Sequence, residues 1–555
     1  MRKIKILFFK IIFISMFCTN GFSQNNIISK NPTAAEWRED LRFLSTKLIE
    51  RHPNPFHDVS REKFETAVKS LDAKIDELNP HQIIVEMAKI VALIGEGHTR
   101  LDLPRKGNRK FGRYPIKFYV YENGVFVQEI AQQHKEIVGR KVVKIGESLI
   151  KEVIKKVNPV VHHDNEMTRK LLLPLYIDTP EVLQSLGIIK NSGDLKLTVE
   201  AENGEQRTIQ MSPVENTDSI KWISANNSAT KELPLWQKKI DDDYWFEFLE
   251  DHKTVYLQFN SVRDKKEESI AQFSERLHKF IEANPVEKLI LDLRLNDGGN
   301  SRLARPLLHA IIRSDKINQK GKFFTIIGRK TFSATIVFAV ELNQHTNTIF
   351  VGEPTGGSPN QYGEMVSFIL PNSGLTVNHS AYLFQTAGPF ENGDAITPEI
   401  AVAPTIESFR QNQDPVLDAI FSYKPSKSLF EQIFEAYKND GIESAVNAYR
   451  KFKNSPENRY INTERPIRLV GNQLLEEKKY NDAETIYKLN TEAYPERSVP
   501  YFSLAELYLE KSEKQKAKAF YLKGLSKLES DITVHKAFED RLRNIISERL
   551  KEIGN

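Results

Sequence analysis

Cysteine is almost absent from this sequence. Among its 555 residues Cys18 is the only one, and it lies close to the amino terminus. The rest of the chain therefore has no thiol with which to form a disulfide scaffold, a cysteine-based zinc site or a cysteine nucleophile. If the chain uses a covalent nucleophile, another residue type must supply it, and serine is the candidate.

A long apolar run is also missing. The apolar stretch Ile6–Phe17 is interrupted by Lys10 and is shorter than the ~20 residues that a membrane-spanning helix needs. It follows a basic start and precedes small residues that suit cleavage before Gln24. We therefore predict that residues 1–23 are a cleaved export signal, which places the protein in the periplasm or outside the cell. A retained anchor and a lipid on Cys18 are the alternatives, although the residues before Cys18 make a poor lipobox.

The main part of the chain lacks a net charge. The formal net charge of +4 comes from four basic side chains at the amino terminus, which are the only charged residues before position 24. The chain beyond that point is formally neutral, so it has no global basic field of the kind that attracts nucleic acid. We predict neither a nucleic-acid partner nor a stable membrane span.

The chain is too long for a single core. With 40% hydrophobic and 27% charged residues, it has the composition of a folded protein and not of a disordered or collagen-like one. We predict a multidomain α/β fold. The predicted domains are an N-terminal helical domain over 24–110, a small β-rich domain over 111–215, an α/β core over 216–425 and a C-terminal helical repeat over 426–555.

Hydrophobic periodicity supports these domains. Apolar residues recur at helical spacing between residues 30 and 100. Asn-Gly pairs at Asn123 and Asn203 predict two β-hairpins in the β-rich domain. Between residues 235 and 425, strand patterns alternate with helix patterns, which predicts parallel strands. The predicted strands are Val255–Phe259, Leu289–Leu293, Phe323–Ile327 and Thr348–Val351.

The tail contains an internal repeat. An alanine followed four residues later by a tyrosine recurs at Ala445, Ala483 and Ala517, at intervals of 38 and 34 residues. A period of about 34 residues is typical of tetratricopeptide helix pairs, which dock protein partners. An ordinary helical bundle is the alternative.

Three separated stretches carry residues that suit catalysis. In the first, Leu291–Asn300, an apolar strand runs into a turn with Gly298 and Gly299, at the edge where open α/β sheets place their sites. The second contains Ser333, between a predicted strand and a predicted helix. The third contains His98, after the N-terminal helices.

Ser333 is the candidate nucleophile. A serine at a strand-to-helix turn has the position of the serine in a nucleophile elbow, although the sequence Gly-x-Ser-x-Gly is absent. The N–H of Ala334 and the positive end of the following helix can stabilise an oxyanion. Alternatively, Ser333 is only the N-cap of that helix, and His98 is only a structural or surface histidine.

Together these stretches resemble the serine peptidase family that holds the C-terminal (tail-specific) processing proteases and the tricorn-type core proteases. The resemblance covers roughly residues 30–405 and implies a crotonase-like layered core, a PDZ-like β domain and a peptide or protein substrate. No metal and no other cofactor is predicted. The segments that match, in the family's order, are Gly97–Thr99, Leu291–Gly299, Thr331–Ala334, Val351–Gly357 and Glu391–Ile400.

The resemblance also implies which residues react. In the processing proteases a lysine just after the Gly-rich loop acts as the base, but here that position holds Ser358. Lys330 lies too close to Ser333 along the chain to reach its hydroxyl in an ordinary turn. In the tricorn-type branch a histidine and a glutamate assist the serine, and His98 and Glu391 match their positions.

A triad of Ser333, His98 and Glu391 is thus implied, and Glu364 is a rival for the carboxylate. In such a triad the imidazole takes the serine proton and the carboxylate orients the imidazole. Gly97 stands where tricorn-type enzymes carry a serine, so no fourth member is assigned. The implied oxyanion hole consists of the N–H of Ala334 with that of Gly298 or Gly299. The implied substrate-binding loop consists of Gly356, Gly357 and Ser358.

We therefore expect an exported serine endopeptidase that works through an acyl-enzyme. The alternative is a catalytically silent scaffold that binds an apolar ligand or a peptide and docks partners through its helical repeats. An esterase of the α/β-hydrolase type is disfavoured, because Gly-x-Ser-x-Gly is missing and the histidine precedes the serine.

Overall fold

The computed structural model of the chain describes residues 31–214, 217–226, 232–389, 391–425, 427–534 and 536–554. The predicted export signal over residues 1–23 lies outside the described residues. Among the helices in those ranges, none combines the length and the apolar composition that a bilayer crossing requires.

Helices begin the described chain, as the sequence predicts. α1 starts with a capping box in which Thr33 and Glu36 satisfy each other's backbone N–H groups. The residues at helical spacing on α1, such as Trp37 and Leu41, are buried in a core shared with the next two helices. The elements of this block are α1 (Ala34–Arg51), α2 (Arg61–Asp72), α3 (Pro80–Ala92) and the short strand β1 (Arg100–Leu101).

A largely antiparallel sheet with helices against it follows. The strands are β2 (Ile116–Tyr121), β3 (Gly124–Ala131), β4 (Lys141–Ile145), β5 (Ser148–Leu149), β6 (Leu195–Glu200), β7 (Gln206–Met211) and β8 (Trp222–Ser224), and the helices are α4 (Ile150–Val157), α5 (Glu166–Ile177) and α6 (Pro180–Ser185). The sheet order is β2-β3-β4-β6-β7, with β5 on β4 and β8 on β3. β2 with β3, and β6 with β7, form the two hairpins that the Asn-Gly pairs predict.

The next block alternates strands and helices. Its strands are β9 (Tyr244–Leu249), β10 (Thr254–Phe259), β11 (Lys288–Asp292), β12 (Phe323–Ile327), β13 (Ile349–Gly352), β14 (Gln361–Ile369), β15 (Thr376–Phe384) and β16 (Ile400–Ala401). Its helices are α7 (Leu235–Lys238), α8 (Ile270–Ala283), α9 (Arg305–Ile312), α10 (Ala334–His345), α11 (Ile406–Arg410) and α12 (Pro415–Ser422).

One sheet of this block has the order β16-β13-β12-β11-β10-β9. All neighbouring strands in it are parallel except β9 and β10, so the prediction of parallel strands is confirmed. β10, β12 and β13 are buried along their whole length. The reason is that apolar cores lie on both faces of the sheet: α8, α9 and α10 cover one face, and α12 covers the other.

A smaller antiparallel sheet brings the first helical block onto this core. β14 and β15 form a hairpin, and β1 pairs with the free edge of β15. The sequence analysis does not predict this hairpin. The loop between α3 and β1, which contains His98, is therefore attached to a strand of the core nearly 280 residues further along the chain.

The tail is helical. Its helices are α13 (Leu429–Lys453), α14 (Glu464–Glu476), α15 (Tyr480–Ala493), α16 (Val499–Glu510), α17 (Lys514–Leu528) and α18 (Lys536–Gly554). α13 is interrupted at Asp440 and Gly441, where the backbone leaves the helical region. The repeated alanines and tyrosines are buried together in one core, which explains why small and aromatic residues recur at that spacing.

Candidate active site

Ser333 ends the turn between β12 and α10. Its backbone has φ 55° and ψ −124°, a combination that residues other than glycine rarely adopt. The hydroxyl makes no capping bond to α10, so Ser333 does not act as an ordinary N-cap. A strained serine at a strand-to-helix turn has the backbone character of a nucleophile elbow.

Buried amides hold this turn in place. Asn296 is fully buried, and its carbonyl oxygen accepts a hydrogen bond from the N–H of Phe332 at 3.2 Å. Its Oδ1 accepts one from the hydroxyl of Thr335 at 2.6 Å. The side-chain amide of Gln361 donates to the carbonyl of Ser333 itself at 2.7 Å. Such bonds offset backbone strain, which typically costs about 1–3 kcal/mol.

The imidazole of His98 reaches the hydroxyl of Ser333. Nε2 of His98 lies 3.0 Å from Oγ of Ser333. The ring of Phe332 stacks on the imidazole with a centroid distance of 4.6 Å and an interplanar angle of 27°. The side chain of His98 is only 9% exposed. The two groups are therefore within proton-transfer distance, and packing limits the freedom of the imidazole.

The carboxylate beside this imidazole belongs to Glu96. Its Oε2 lies 3.7 Å from Nδ1 of His98 and accepts a hydrogen bond from the backbone N–H of His98 at 2.6 Å. Its Oε1 accepts bonds from the hydroxyls of Thr99 and Ser380. Burial alone would raise the pKa of Glu96, but the imidazoles of His52 and His98 and these bonds outweigh burial and hold the pKa below its usual range. Glu96 is thus a buried, ionised carboxylate.

Glu391 and Glu364 do not lie in this contact. The side chain of Glu391 is exposed, and its Oε1 accepts a hydrogen bond from the N–H of Gly393 at 2.8 Å. Glu364 is also exposed and lies on β14. The structure therefore places Glu96, and neither Glu391 nor Glu364, beside the imidazole of His98. Within the described ranges, Glu96 is the acidic residue within ion-pair distance of His98.

The backbone next to Ser333 contains free donors. The N–H of Gly298 is taken by Oδ1 of Asn296 at 3.0 Å. By contrast, the N–H groups of Ala334 and Gly299 form no hydrogen bond among the described residues. Gly298 has φ 117°, and a Cβ there would lie 2.8 Å from Cβ of Ser333, so only glycine allows this close approach.

The loop Gly356–Ser358 contacts the turn that precedes Ser333. The N–H of Gly356 donates to the carbonyl of Thr331 at 3.1 Å, and Ser358 donates to the carbonyl of Asp394 at 3.0 Å. Gly357 packs against the ring of Phe332. The β-rich block also holds this loop, because the hydroxyl of Thr168 on α5 donates to the carbonyl of Gly356. The structure thus brings the loop close to the site but gives Gly356 and Gly357 buried, structural surroundings.

Lys330 pairs with an acidic side chain. Its Nζ lies 3.6 Å from a carboxylate oxygen of Asp297, and 43% of its side chain is exposed. Among the described residues, no group of three or more histidine, cysteine, aspartate or glutamate side chains has a metal-binding arrangement.

Gly97 leaves no space for a side chain beside the imidazole. A Cβ at this position would lie 2.6 Å from Oδ2 of Asp164 and 2.7 Å from the ring of Phe332. A serine next to the histidine, as tricorn-type enzymes have, does not fit without displacing both neighbours.

We expect Gly97→Ala to destabilise the protein by about 1–3 kcal/mol, because overpacking forces neighbours out of place. Labelling of Ser333 by a serine-reactive probe should slow as well, since the displaced Phe332 packs on His98. Thermal unfolding and the labelling rate measure the two effects. Gly328→Ala is the matched control, because a Cβ there meets its nearest neighbour at 3.6 Å. Equal stability of the two variants would contradict this account.

Sequence reasoning did not find several members of this site. It did not assign Glu96, although an acidic residue two positions before His98 was an available signal. It also did not assign Asn296 and Gln361, whose roles are hydrogen bonds to the turn of Ser333. No sequence signal marks Gln361, because its partner is a backbone carbonyl from another part of the chain.

Comparisons with known proteins give structural matches. No protein-family model matches the sequence, and a search of curated proteins finds no match. Mature CPAF aligns with a TM-score of 0.51 and 13% identity over 74% of this chain and 98% of that chain. Mature CPAF complexed with lactacystin aligns with a TM-score of 0.50 and 12% identity over 70% of this chain and 98% of that chain. The tricorn protease aligns with a TM-score of 0.34 and 12% identity over 69% of this chain and 36% of that chain.

At an identity this low, the structural match to mature CPAF establishes the fold alone, and the reaction has to be argued from the site. The described chain has the mixed α/β fold of mature CPAF.

Proposed function

We propose that this chain is an exported serine endopeptidase in which Ser333, His98 and Glu96 hydrolyse peptide bonds. One observation carries the proposal: Nε2 of His98 lies 3.0 Å from the hydroxyl of a serine whose φ is 55°. A scaffold that only binds has no need of a strained serine next to a buried imidazole and a buried carboxylate.

Acylation follows from these positions. Nε2 of His98 takes the proton from Oγ of Ser333 while Oγ forms a bond to the carbonyl carbon of the peptide. The carbonyl oxygen becomes an oxyanion. The imidazolium then gives its proton to the peptide nitrogen, the carbon–nitrogen bond breaks, and the amine leaves an ester on Ser333.

Deacylation reverses the roles. The imidazole takes a proton from a water molecule, whose oxygen attacks the ester carbon. The ester bond breaks, the carboxylic acid leaves, and the proton returns to Oγ of Ser333. Glu96 supports both steps: its carboxylate lies 3.7 Å from Nδ1 of His98, where it favours the tautomer with the proton on Nδ1 and stabilises the imidazolium.

The oxyanion is proposed to bind to the N–H groups of Ala334 and Gly299. Both lack a hydrogen-bond partner among the described residues. The N–H of Gly298, the other glycine of the pair, already donates to Asn296. Each donor in such a hole is typically worth about a hundredfold or more in rate.

The remaining expectations stay part of the proposal. Residues 1–23 are an export signal, and the mature chain works in the periplasm or outside the cell. The antiparallel sheet of β2–β8 is a PDZ-like module, the parallel sheet is a crotonase-like core, and α13–α18 form tetratricopeptide-like repeats that dock a protein partner. The buried Ala-Tyr repeats support the repeat packing of α13–α18.

A serine-reactive fluorophosphonate tests the proposal on the chain without residues 1–23. We expect one covalent adduct per chain, and peptide mass spectrometry should locate it on Ser333. The reason is that only a serine with an adjacent base attacks such a probe at neutral pH. Absence of an adduct, or an adduct on another serine, would contradict the proposal and favour the silent binding scaffold.

A further inference from the structure

His52 is a buried histidine that the proposed reaction does not use. It follows α1 directly, and its backbone N–H donates to the carbonyl of Leu48 at 3.0 Å. Its side chain is fully buried. A buried imidazole needs polar partners, so the positions of its two ring nitrogens are informative.

The hydrogen bonds of His52 define its tautomer. Nδ1 accepts a hydrogen bond from the backbone N–H of Asn54 at 3.2 Å, so this nitrogen carries no proton. In a neutral imidazole the proton is then on Nε2. Nε2 lies 3.5 Å from Oε1 of Glu96 and makes no hydrogen bond among the described residues. The carboxylate of the proposed triad is therefore the polar group within ion-pair distance of this nitrogen.

Two aromatic rings fix the orientation of this imidazole. The ring of Tyr362 on β14 lies 5.0 Å away, and the ring of His57 lies 5.9 Å away and nearly parallel, at 8°. Rotation of His52 would have to displace both. The direction of its N–H is thus determined by packing as well as by Asn54.

The two oxygens of Glu96 face different imidazoles. Oε1 faces His52, whereas Oε2 faces Nδ1 of His98. The hydroxyls of Thr99 and Ser380 donate to Oε1. An imidazole N–H beside Oε1 helps to keep the carboxylate ionised and in position, and it adds no positive charge that would compete with an imidazolium at His98.

Other titratable groups near Glu96 lie in the segment before α5 and on β14. Burial, together with the charge of Glu96, raises the pKa of Asp164 well above its usual value, which favours its neutral form. Burial and the charge of Arg100 lower the pKa of His162 to about 3, so it stays neutral too. Burial also raises the pKa of Tyr362. Burial thus disfavours the charged forms of Asp164, His162 and Tyr362.

We propose that His52 is a positioning residue that holds Glu96 through its Nε2–H, so that serine, histidine, glutamate and a second histidine form one connected row. This inference rests on the proposed function. His52 touches neither substrate nor the reacting atoms and acts through Glu96 and His98.

The test compares rates of fluorophosphonate labelling of Ser333. His52→Phe keeps a ring but removes the donor, and its rate is expected to fall about tenfold. His52→Gln places an amide donor close to Nε2, and its rate is expected to stay within about threefold of the wild type. His81→Phe is the matched control, because this histidine of the same block hydrogen-bonds to the carbonyl of Lys110 and, within the described ranges, to no side chain. A purely structural role would not be rescued by glutamine.

A spectroscopic measurement keeps the test independent of folding. In the ¹⁵N spectrum of the histidine-labelled wild type, His52 is expected to carry its proton on Nε2 and not on Nδ1. A proton on Nδ1 would overturn the inference, as would a His52→Phe variant that folds and is labelled at the wild-type rate. Failure of the wild type to be labelled would instead overturn the proposed function. The tautomer of His52 would still show whether its Nε2 carries the proton that the contact with Glu96 requires.

Discussion

Replacing Ser333 with alanine is expected to abolish fluorophosphonate labelling and to lower kcat for peptide hydrolysis by at least about 10⁴-fold. The variant loses the only oxygen that lies within 3.0 Å of His98 Nε2 in the described site, so no covalent intermediate forms. Binding contacts and the oxyanion donors remain, and they account for the residual rate. Intact-mass spectrometry and steady-state kinetics measure the two effects.

Stability measurements separate a chemical effect from unfolding. Ser333→Ala keeps a side chain at φ 55°, so its melting temperature should stay close to that of the wild type. Ser333→Gly should be more stable than Ser333→Ala by about 1 kcal/mol, because glycine adopts this backbone region without steric cost. A labelled Ser333→Ala protein, or a glycine variant less stable than the alanine variant, would contradict the nucleophile assignment or the strain.

Glu96→Gln is expected to lower kcat by about 10³–10⁴-fold with little change in KM. Glutamine has nearly the same shape but no charge, and its amide can turn an N–H toward Nδ1 of His98, which favours the wrong tautomer. The developing imidazolium then has no carboxylate beside it. Kinetics on a peptide substrate, or the labelling rate where no substrate is known, measures the loss.

Glu391→Gln is the matched control for this variant. Glu391 is exposed, and among the described residues its carboxylate accepts a hydrogen bond only from the N–H of Gly393, so its loss should change the rate by less than about threefold. The reverse result, an inactive Glu391→Gln protein and an active Glu96→Gln protein, would restore the assignment made from the sequence resemblance.

The pH dependence of stability provides a second measurement on Glu96→Gln. The pKa of Glu96 is lower in the folded protein than in the unfolded chain, so its ionised form contributes stability above the ordinary glutamate pKa of about 4.3. That contribution is lost as the pH falls below this value toward the folded pKa. The difference in melting temperature between wild type and Glu96→Gln should therefore be largest at neutral pH and shrink below about pH 4. A constant difference would show that Glu96 is not ionised.

The candidate site shows why some residues were predictable. Ser333 lies between an apolar strand and a buried helix, and both patterns are local, so the sequence alone places a serine at a strand-to-helix turn. The glycine pair and the histidine stretch have fixed spacing in a family motif. The contact between His98 and Ser333, by contrast, joins residues that are 235 positions apart, and only the resemblance predicted it.

The carboxylate was not predictable in the same way. Glu391 matches the closing segment of the family that the sequence resembles, whereas Glu96 has the contacts. Which of the two is buried depends on β14 and β15, a hairpin that the sequence analysis did not predict and that brings Ser380 onto Glu96. A carboxylate stays ionised in a buried place only when donors surround it, and those donors come from residues up to 284 positions away.

By itself the sequence determined the absence of cysteine after position 18, the α/β alternation, the two Asn-Gly hairpins and the position of the serine. Each of these depends on composition or on neighbours within a few residues. Only the tertiary structure decided which carboxylate faces His98, which glycine N–H is free and how His52 is oriented. These depend on hydrogen bonds between distant segments, and such bonds leave no periodic pattern in a sequence.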